Sequence, residues 1–233
     1  MIIAKFVSVV ILGYLIGSIP FGVLIGRRFV KVDVREYGSG KMGATNVSRV
    51  AGKKIACLVI TLDLLKGALP VVFAGLIVGV DYLLVGNYGL GSLFAGVLAA
   101  LAAVIGHIWP VYLKFRGGRG VATFFGGLIA LCPAVAVFGG ELGIIGAGLT
   151  GFASLGSIAG VVGAYAILLP LTIFNGFPVE YLLYTLVGSA IVIVMHRDNI
   201  ARLITGTEHK LGEKIRLIRR ARGEARNLPG GSK

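Results

Sequence analysis

The first residues, "MIIAKFVSVVILGYLIGSIPFGVLIGRR" (residues 1–28), decide the solvent in which this chain folds. A membrane-crossing helix needs ~20 mainly apolar residues. This run supplies them, with Lys5 as its one internal cation before Arg27 and Arg28 close it. It is too long for the apolar part of a signal peptide and has no small-x-small cleavage site, so it reads as a retained first helix over residues 3–26. The remaining chain has the same character. Hydrophobic residues make up 56% and charged residues 14%, with a mean hydropathy of +0.91, whereas roughly a quarter of a soluble domain is charged. Long apolar runs without dyad alternation argue against a transmembrane β-barrel, and the 37 glycines suit closely packed membrane helices. Cys57 and Cys132 both lie inside apolar runs and read as buried free thiols.

The net charge of +13 suggests nucleic acid until its distribution is read. Of 23 cations, 21 fall at residues 27–54, at Lys114, Arg116 and Arg119, and in the tail after His196. By the positive-inside rule these three segments are cytoplasmic, and attraction to anionic headgroups accounts for the charge without nucleic acid. The first helix then enters the cytoplasm from outside. Spans over 54–79 and 90–113 leave and return. The stretch 121–195 starts and ends inside, with room for four tight crossings and turns near 139–141, 151–154 and 175–178. The expectation is an all-α polytopic protein of seven transmembrane helices, N-terminus outside and C-terminus cytoplasmic. Asp81, Glu141 and Glu180 would fall in its external turns. Residues 1–212 form a single membrane domain. Residues 213–233 form a basic cytoplasmic tail that starts as a short amphipathic helix and ends partly disordered.

The loop "REYGSGKMGATNVSRVAGKK" (residues 35–54) carries the chemistry. Gly38, Gly40 and Gly43 fit G-x-G-x-x-G, but a membrane helix precedes them where a dinucleotide fold needs a strand. A P-loop fails too, because Ala44 and Thr45 follow Gly43. What both motifs share survives: glycines let backbone N–H groups converge on an anion. Ser39, Thr45 and Asn46 add neutral donors, and Lys41 and Arg49 add charge. A second loop, "KFRGGRGVATF" (residues 114–124), repeats the pattern with Gly117, Gly118, Arg119 and Gly120 ahead of a helix N-terminus. Two such loops on one membrane face suggest two phosphate groups. Asp63 and Lys66 stand three apart in an apolar helix, and intramembrane charges mark function by default. His107 lies about two turns from the cytoplasmic end of the third span, and His196, Asp198 and Asn199 begin where the last helix exits. Ser18 and Pro20 lie toward the cytoplasmic end of the first.

In this order, "GYLIGSIPFG", "GSGKMGATNVSRVAG", "LDLLKG", "GHIWPVYLKFRGGRGVAT" and "HRDNIARLITGTEHKLG" resemble the bacterial acyl-phosphate:glycerol-3-phosphate acyltransferases, integral membrane enzymes that make lysophosphatidic acid. The matching stretches run from Gly13 to Gly212. The family has seven helices, in agreement with the count from charge. Two positions depart from its pattern: Lys41 replaces the usual Asn, and Arg119 the usual Lys. Both changes keep or add positive charge.

The resemblance implies a multi-pass plasma-membrane enzyme with its site facing the cytoplasm. It moves an acyl group from membrane-embedded acyl phosphate to the sn-1 hydroxyl of soluble glycerol 3-phosphate. A mixed anhydride is already activated, so no covalent acyl-enzyme and no cofactor is needed. No Cys/His or carboxylate spacing suggests a metal, and no obligatory protein partner is inferred. Ser39 and Arg49 with the glycine amides are the expected phosphate cradle. Arg119 neutralises a second phosphate or the leaving group, and His196 and Asn199 complete the catalytic set by family match. Gly38, Gly40, Gly43, Thr45, Asn46, Lys66, His107, Gly118 and Gly120 are the expected supporting and substrate-binding residues. Two proton acceptors stay open, a neutral histidine and a substrate phosphate. A transporter of a phosphorylated solute is the rival from another class; it explains poorly why the motifs crowd one face.

Overall fold

The computed structural model describes residues 1–212; the basic tail at 213–233, expected to be partly disordered, lies outside the described residues. Ten helices and one short hairpin make up the described chain. The first apolar run is two helices, α1 (Ile2–Gly17) and α2 (Phe21–Phe29), because Pro20 has no N–H and cannot continue the ladder. After a 3-10 turn at Val34–Glu36, the short amphipathic α3 (Ala44–Ala51) leads through Gly52, held at φ 90°, into α4 (Lys53–Val78). A hairpin of β1 (Leu83–Val85) and β2 (Tyr88–Leu90) turns the chain back into α5 (Ser92–Ile108). The rest is α6 (Val121–Leu131), α7 (Pro133–Thr150), α8 (Ala153–Asn175), α9 (Val179–Met195) and α10 (Arg197–Ile204).

Among the described residues, five segments are long and apolar enough to cross a membrane: α1 with α2, α4, Ser92–Leu113, α7 and α8. The α9–α10 pair, bent by 56°, makes a sixth when counted as one span. The chain is a multi-pass membrane protein. At eleven residues, α6 is only ~16 Å long, short of a hydrocarbon core of ~30 Å.

One expected turn is wrong. The break after α6 falls at Cys132, where Pro133 starts a new helix at a position that needs no N–H. Residues 139–141 lie inside α7 instead, and Glu141 is therefore mid-helix and not in an external turn. The glycines there serve packing: a Cβ on Gly139 would press on Ala164 and the Gly160 carbonyl of α8. The turns near 151–154 and 175–178 are present. The third span runs over Ser92–Leu113 as expected, its α-helical part closing at Trp109 and Pro110 with a 3-10 turn at Val111–Leu113. His107 occupies the last turn of α5, with the span continuing to Leu113.

Hydrogen bonds sort the loops to two ends. At one, Lys5 pairs with Asp81 at 2.6 Å, tying the start of α1 to the end of α4. At the other, Leu211 N–H donates to Gly151 O at 2.8 Å, and Ser154 Oγ donates to Glu208 at 2.9 Å. All the suspicious sequence segments reach this second end. The helices behind it pack backbone on backbone. On α6, a Cβ at Gly126 would overlap the Leu64 carbonyl of α4, while Gly75, further along α4, has open space around it.

Overpacking of this kind costs ~1–3 kcal/mol, or roughly 2–4 °C per kcal/mol in a chain of this size. Gly126→Ala is expected to lower the thermal midpoint of the purified protein in detergent by several degrees. Gly75→Ala should leave it unchanged or raise it slightly. Equal midpoints for the two variants would show that α4 and α6 do not meet this closely.

Candidate active site

A cleft of about 520 Å³ opens at the loop-rich end. Its polar half is built from first turns of helices. Gly43, Ala44 and Thr45 of α3, Gly120, Val121 and Ala122 of α6, and His196 and Asn199 of α10 all line it. A helix N-terminus carries about half a positive charge and unbonded N–H groups, so each favours an anion. Lys41, Arg49, Arg119 and Arg202 line the same space, against the carboxylates of Asp63 and Glu208. The other half is apolar: Leu64 of α4, Phe125 and Ile129 of α6, and Ala136, Gly140, Gly143 and Ile144 of α7 form a groove running from the charged end.

The opening loop is folded by one side chain. Asn46, buried in the first turn of α3, gives its Nδ2 to the carbonyls of Val34 (2.7 Å), Lys41 (2.9 Å) and Tyr37 (3.0 Å). Its Oδ1 accepts the Ser39 N–H at 3.1 Å. Asn46 is therefore spent on shaping the loop, and what it presents to the cleft is Ser39. Gly38 and Gly40 sit at φ 59° and 67°, the left-handed region that glycine adopts without strain. They make the bend and do not line the cleft.

The second loop divides in the same way. Gly117 N–H donates to Ile108 O and Gly118 N–H to His107 O, clamping the loop onto the end of α5. A Cβ at Gly118 would strike the His107 ring. Gly118 thus contributes close packing, its N–H already used, while Gly120 and Arg119 reach the cleft. Burial, eased by the nearby Glu208 charge and reinforced by Arg202 and Arg49, lowers the Arg119 guanidinium to about 10, so it stays a cation at neutral pH. Its Nε is buried without a hydrogen-bond partner among the described residues, as is Asn199 Oδ1.

Lys66 is not in the cleft. Its Nζ lies 2.8 Å from Asp63 Oδ1 and donates to Ile19 O at 2.9 Å. His107 lines the cleft's inner wall, its Nδ1 3.1 Å from Thr123 Oγ1 and 3.7 Å from Asp63 Oδ1. His196 donates Nδ1–H to Val192 O at 2.8 Å, which leaves Nε2 as its uncommitted nitrogen. Ser39, Arg49, Arg119, His196 and Asn199, from three separate sequence segments, therefore share one cavity with Gly43, Thr45, Asn46, His107 and Gly120.

Sequence reasoning missed Glu208. Its carboxylate receives Asn199 Nδ2 at 2.6 Å, Arg202 Nε at 2.8 Å and Ser154 Oγ at 2.9 Å. Burial raises its pKa, but these donors outweigh burial and hold it below the usual range. Glu208 fixes Asn199 and straps residues 207–211 beside Arg49, whose Nη2 reaches His209 O at 3.5 Å. The available signal was the carboxylate itself, one of two acids in the stretch 196–212.

Residues 7–206 match the family model described as glycerol-3-phosphate acyltransferase. Glycerol-3-phosphate acyltransferase 3 of Dehalococcoides mccartyi strain CBDB1 is 63% identical over 93% of this chain and 100% of its own. A glycerol-3-phosphate acyltransferase of Rubrobacter xylanophilus is 44% identical over 88% of this chain and 95% of its own. Among solved structures, PlsY, an integral membrane glycerol 3-phosphate acyltransferase, superposes in its glycerol 3-phosphate form with a TM-score of 0.76. The identity is 38%, over 89% of this chain and 96% of that one. Its lysophosphatidic acid form gives a TM-score of 0.75. With its motifs gathered in one cleft and the match running through nearly all its described length, this chain belongs to the glycerol-3-phosphate acyltransferase family.

Proposed function

We propose that this chain acylates the sn-1 hydroxyl of glycerol 3-phosphate, using acyl phosphate as donor and releasing lysophosphatidic acid and inorganic phosphate. The observation that carries the proposal is one cleft whose cationic end, ringed by three helix N-termini, continues into an apolar groove. That gradient suits a lipid-tailed, phosphate-headed donor beside a second phosphate. The hydroxyl oxygen bonds to the acyl carbon, and the bond from that carbon to the phosphate oxygen breaks. The hydroxyl proton passes to a phosphate oxygen or to His196 Nε2. Arg49 and Ser39 hold glycerol 3-phosphate, and Arg119 neutralises the leaving phosphate. Asn199, fixed by Glu208, orients the glycerol. Catalysis here is the positioning of two mutually repelling anions and the stabilisation of charge as it develops.

The membrane arrangement goes with this reading. The proposed chain crosses seven times with α6 as a short member, starts outside, and presents the cleft to the cytoplasm of the plasma membrane. In a background with Cys57 and Cys132 replaced by serine, a cysteine at Val80 should react with an impermeant reagent on intact cells. One at Lys54 should react only after lysis. The same accessibility at both positions overturns this orientation.

The donor is tested directly. Purified protein should form lysophosphatidic acid from glycerol 3-phosphate and acyl phosphate, without coenzyme A, carrier protein or added divalent metal. An absolute requirement for an acyl thioester would overturn the assignment.

Charge-assisted hydrogen bonds are worth ~1.5–3 kcal/mol, so Arg49→Ala should cut kcat/KM for glycerol 3-phosphate by roughly 10- to 150-fold. Ser39→Ala and Arg119→Ala should also lose activity, and Arg119→Lys should keep it. Lys53→Ala, which removes an exposed cation outside the cleft, should cost little. Equal, small losses for Arg49→Ala, Arg119→Ala and Lys53→Ala in folded protein would reduce the site to a generic basic face.

A further inference from the structure

The active-site cleft uses only some of the cations at this end of the molecule. A second cavity of about 590 Å³ is lined by Arg27, Arg35, Tyr112, Leu113, Lys114 and Arg116, and none of these lines the cleft. It lies where the end of α2, the 3-10 turn at Val34–Glu36 and the loop after α5 come together. We propose that this cavity is a separate binding site for the phosphate of an anionic phospholipid headgroup.

The charge is in excess and held in place. Asp33 Oδ2 receives Arg27 Nη2 at 2.9 Å and Arg35 Nη2 at 2.8 Å, while its Oδ1 receives Arg35 Nε at 3.0 Å. One carboxylate thus orients two guanidiniums, and with Glu36 also acting on Arg35 the net positive charge of the cavity rests on Lys114 and Arg116. Lys114 and Arg116 stand opposite, both exposed, with no ion pair among the described residues. The loop that carries them is ordered by its own backbone. Phe115 N–H donates to Pro110 O, Arg116 N–H to Leu113 O and Gly117 N–H to Ile108 O, and Arg35 Nη1 reaches Arg116 O at 3.5 Å. Lys114 and Phe115 accept φ values of 51° and 61°, a conformation non-glycine residues rarely adopt. A cation needed only to set topology has no use for such fixing.

The lipid, rather than a soluble phosphate, is favoured by what surrounds the cavity. Trp109, Tyr112 and Phe115 are exposed beside it, and Phe29 is exposed at the end of α2. Aromatic side chains of this kind belong at headgroup depth. Basic pockets between transmembrane helices on the cytoplasmic side are suited to anionic headgroups, with each Lys or Arg near the surface adding about 1 kcal/mol.

The test is independent of the acyltransferase reading because it reads binding alone. Full-length protein in neutral detergent is titrated with dioctanoyl phosphatidylglycerol, dioctanoyl phosphatidylcholine or inorganic phosphate, and complexes are counted by native mass spectrometry. The wild type should bind phosphatidylglycerol in clear preference to phosphatidylcholine. Lys114→Gln with Arg116→Gln should weaken that binding about thirty-fold. Arg27→Gln, on a different element, should weaken it in the same direction. Lys53→Gln with Lys54→Gln removes the same charge from the same face and should change it little. Equal losses for the two double variants would mean a diffuse basic surface and would overturn the site, as would phosphatidylglycerol binding that ignores Lys114 and Arg116. Indifference between the two lipids would overturn headgroup recognition. Inorganic phosphate binding as tightly as phosphatidylglycerol would overturn the lipid source and assign the cavity to a soluble phosphate compound.

Discussion

The buried pair of Asp63 and Lys66 is the joint on which the loop-rich end depends. Both side chains are almost wholly enclosed, at 2% and 1% exposure. The pair does not simply neutralise itself within α4. Lys66 also donates to the Ile19 carbonyl at the break between α1 and α2, which the Phe21 N–H reaches too. Asp63 faces the cleft and approaches His107 of α5, which in turn meets Thr123 of α6. One ion pair therefore fixes four helices relative to one another. Removing one partner of a buried pair typically costs ~3–5 kcal/mol, because it leaves a charge with nothing to answer it. The pair acts here as a register pin, because it ties the α1–α2 break that Pro20 makes to α4.

Close backbone approach completes what the pin begins. Gly67 of α4 would meet the Thr123 carbonyl with any side chain, and Gly106 of α5 would meet Tyr14 and Ser18 of α1. Association between membrane helices gains little from the hydrophobic effect, because lipid tails are as apolar as the helices, so contact area at short range has to supply the attraction. Small residues at the crossings achieve this. They also hold α6, whose first turn lines the cleft, close to α4, from which a side chain at Gly67 would push it.

Much of this was legible in the sequence, and for identifiable reasons. Charge and hydropathy obey simple rules in a bilayer, so the long helices α4 and α8 and the single-sided clustering of motifs follow from composition along the chain. Glycine did not yield to the same reading. At 139–141 it looked like a turn and is helix packing, while at Gly118 it looked like an anion nest and is a clamp on His107. A glycine's meaning depends on what lies opposite, which is a tertiary fact. Asn46 shows the same dependence: its amide has the chemistry to bind phosphate and it lines the cleft, but its two N–H groups are shared among three carbonyls of its own loop. Glu208 lay within a stretch quoted for its family resemblance, yet its importance comes from Ser154, 54 residues away, a pairing no local pattern encodes.

The same geometry accounts for where the chemistry sits. A phosphate is poorly housed in hydrocarbon, and an acyl chain is poorly housed in water, so a site for both must straddle the boundary. Here the boundary is built from helix ends. Unbonded N–H groups exist because helices must start somewhere, and the fold starts α3 and α6 around one cavity beside α10, whose opening His196 N–H is bonded to Ile193 O of α9. Their partial charges cost no side-chain entropy and cannot rotate away, unlike Lys41 or Arg202 on long flexible stems. Glu208 then plays a part that looks paradoxical in an anion site. By accepting from Arg202 it offsets one of the positive charges that crowd the cleft with Lys41, Arg49 and Arg119, and so stops the cluster from repelling itself apart.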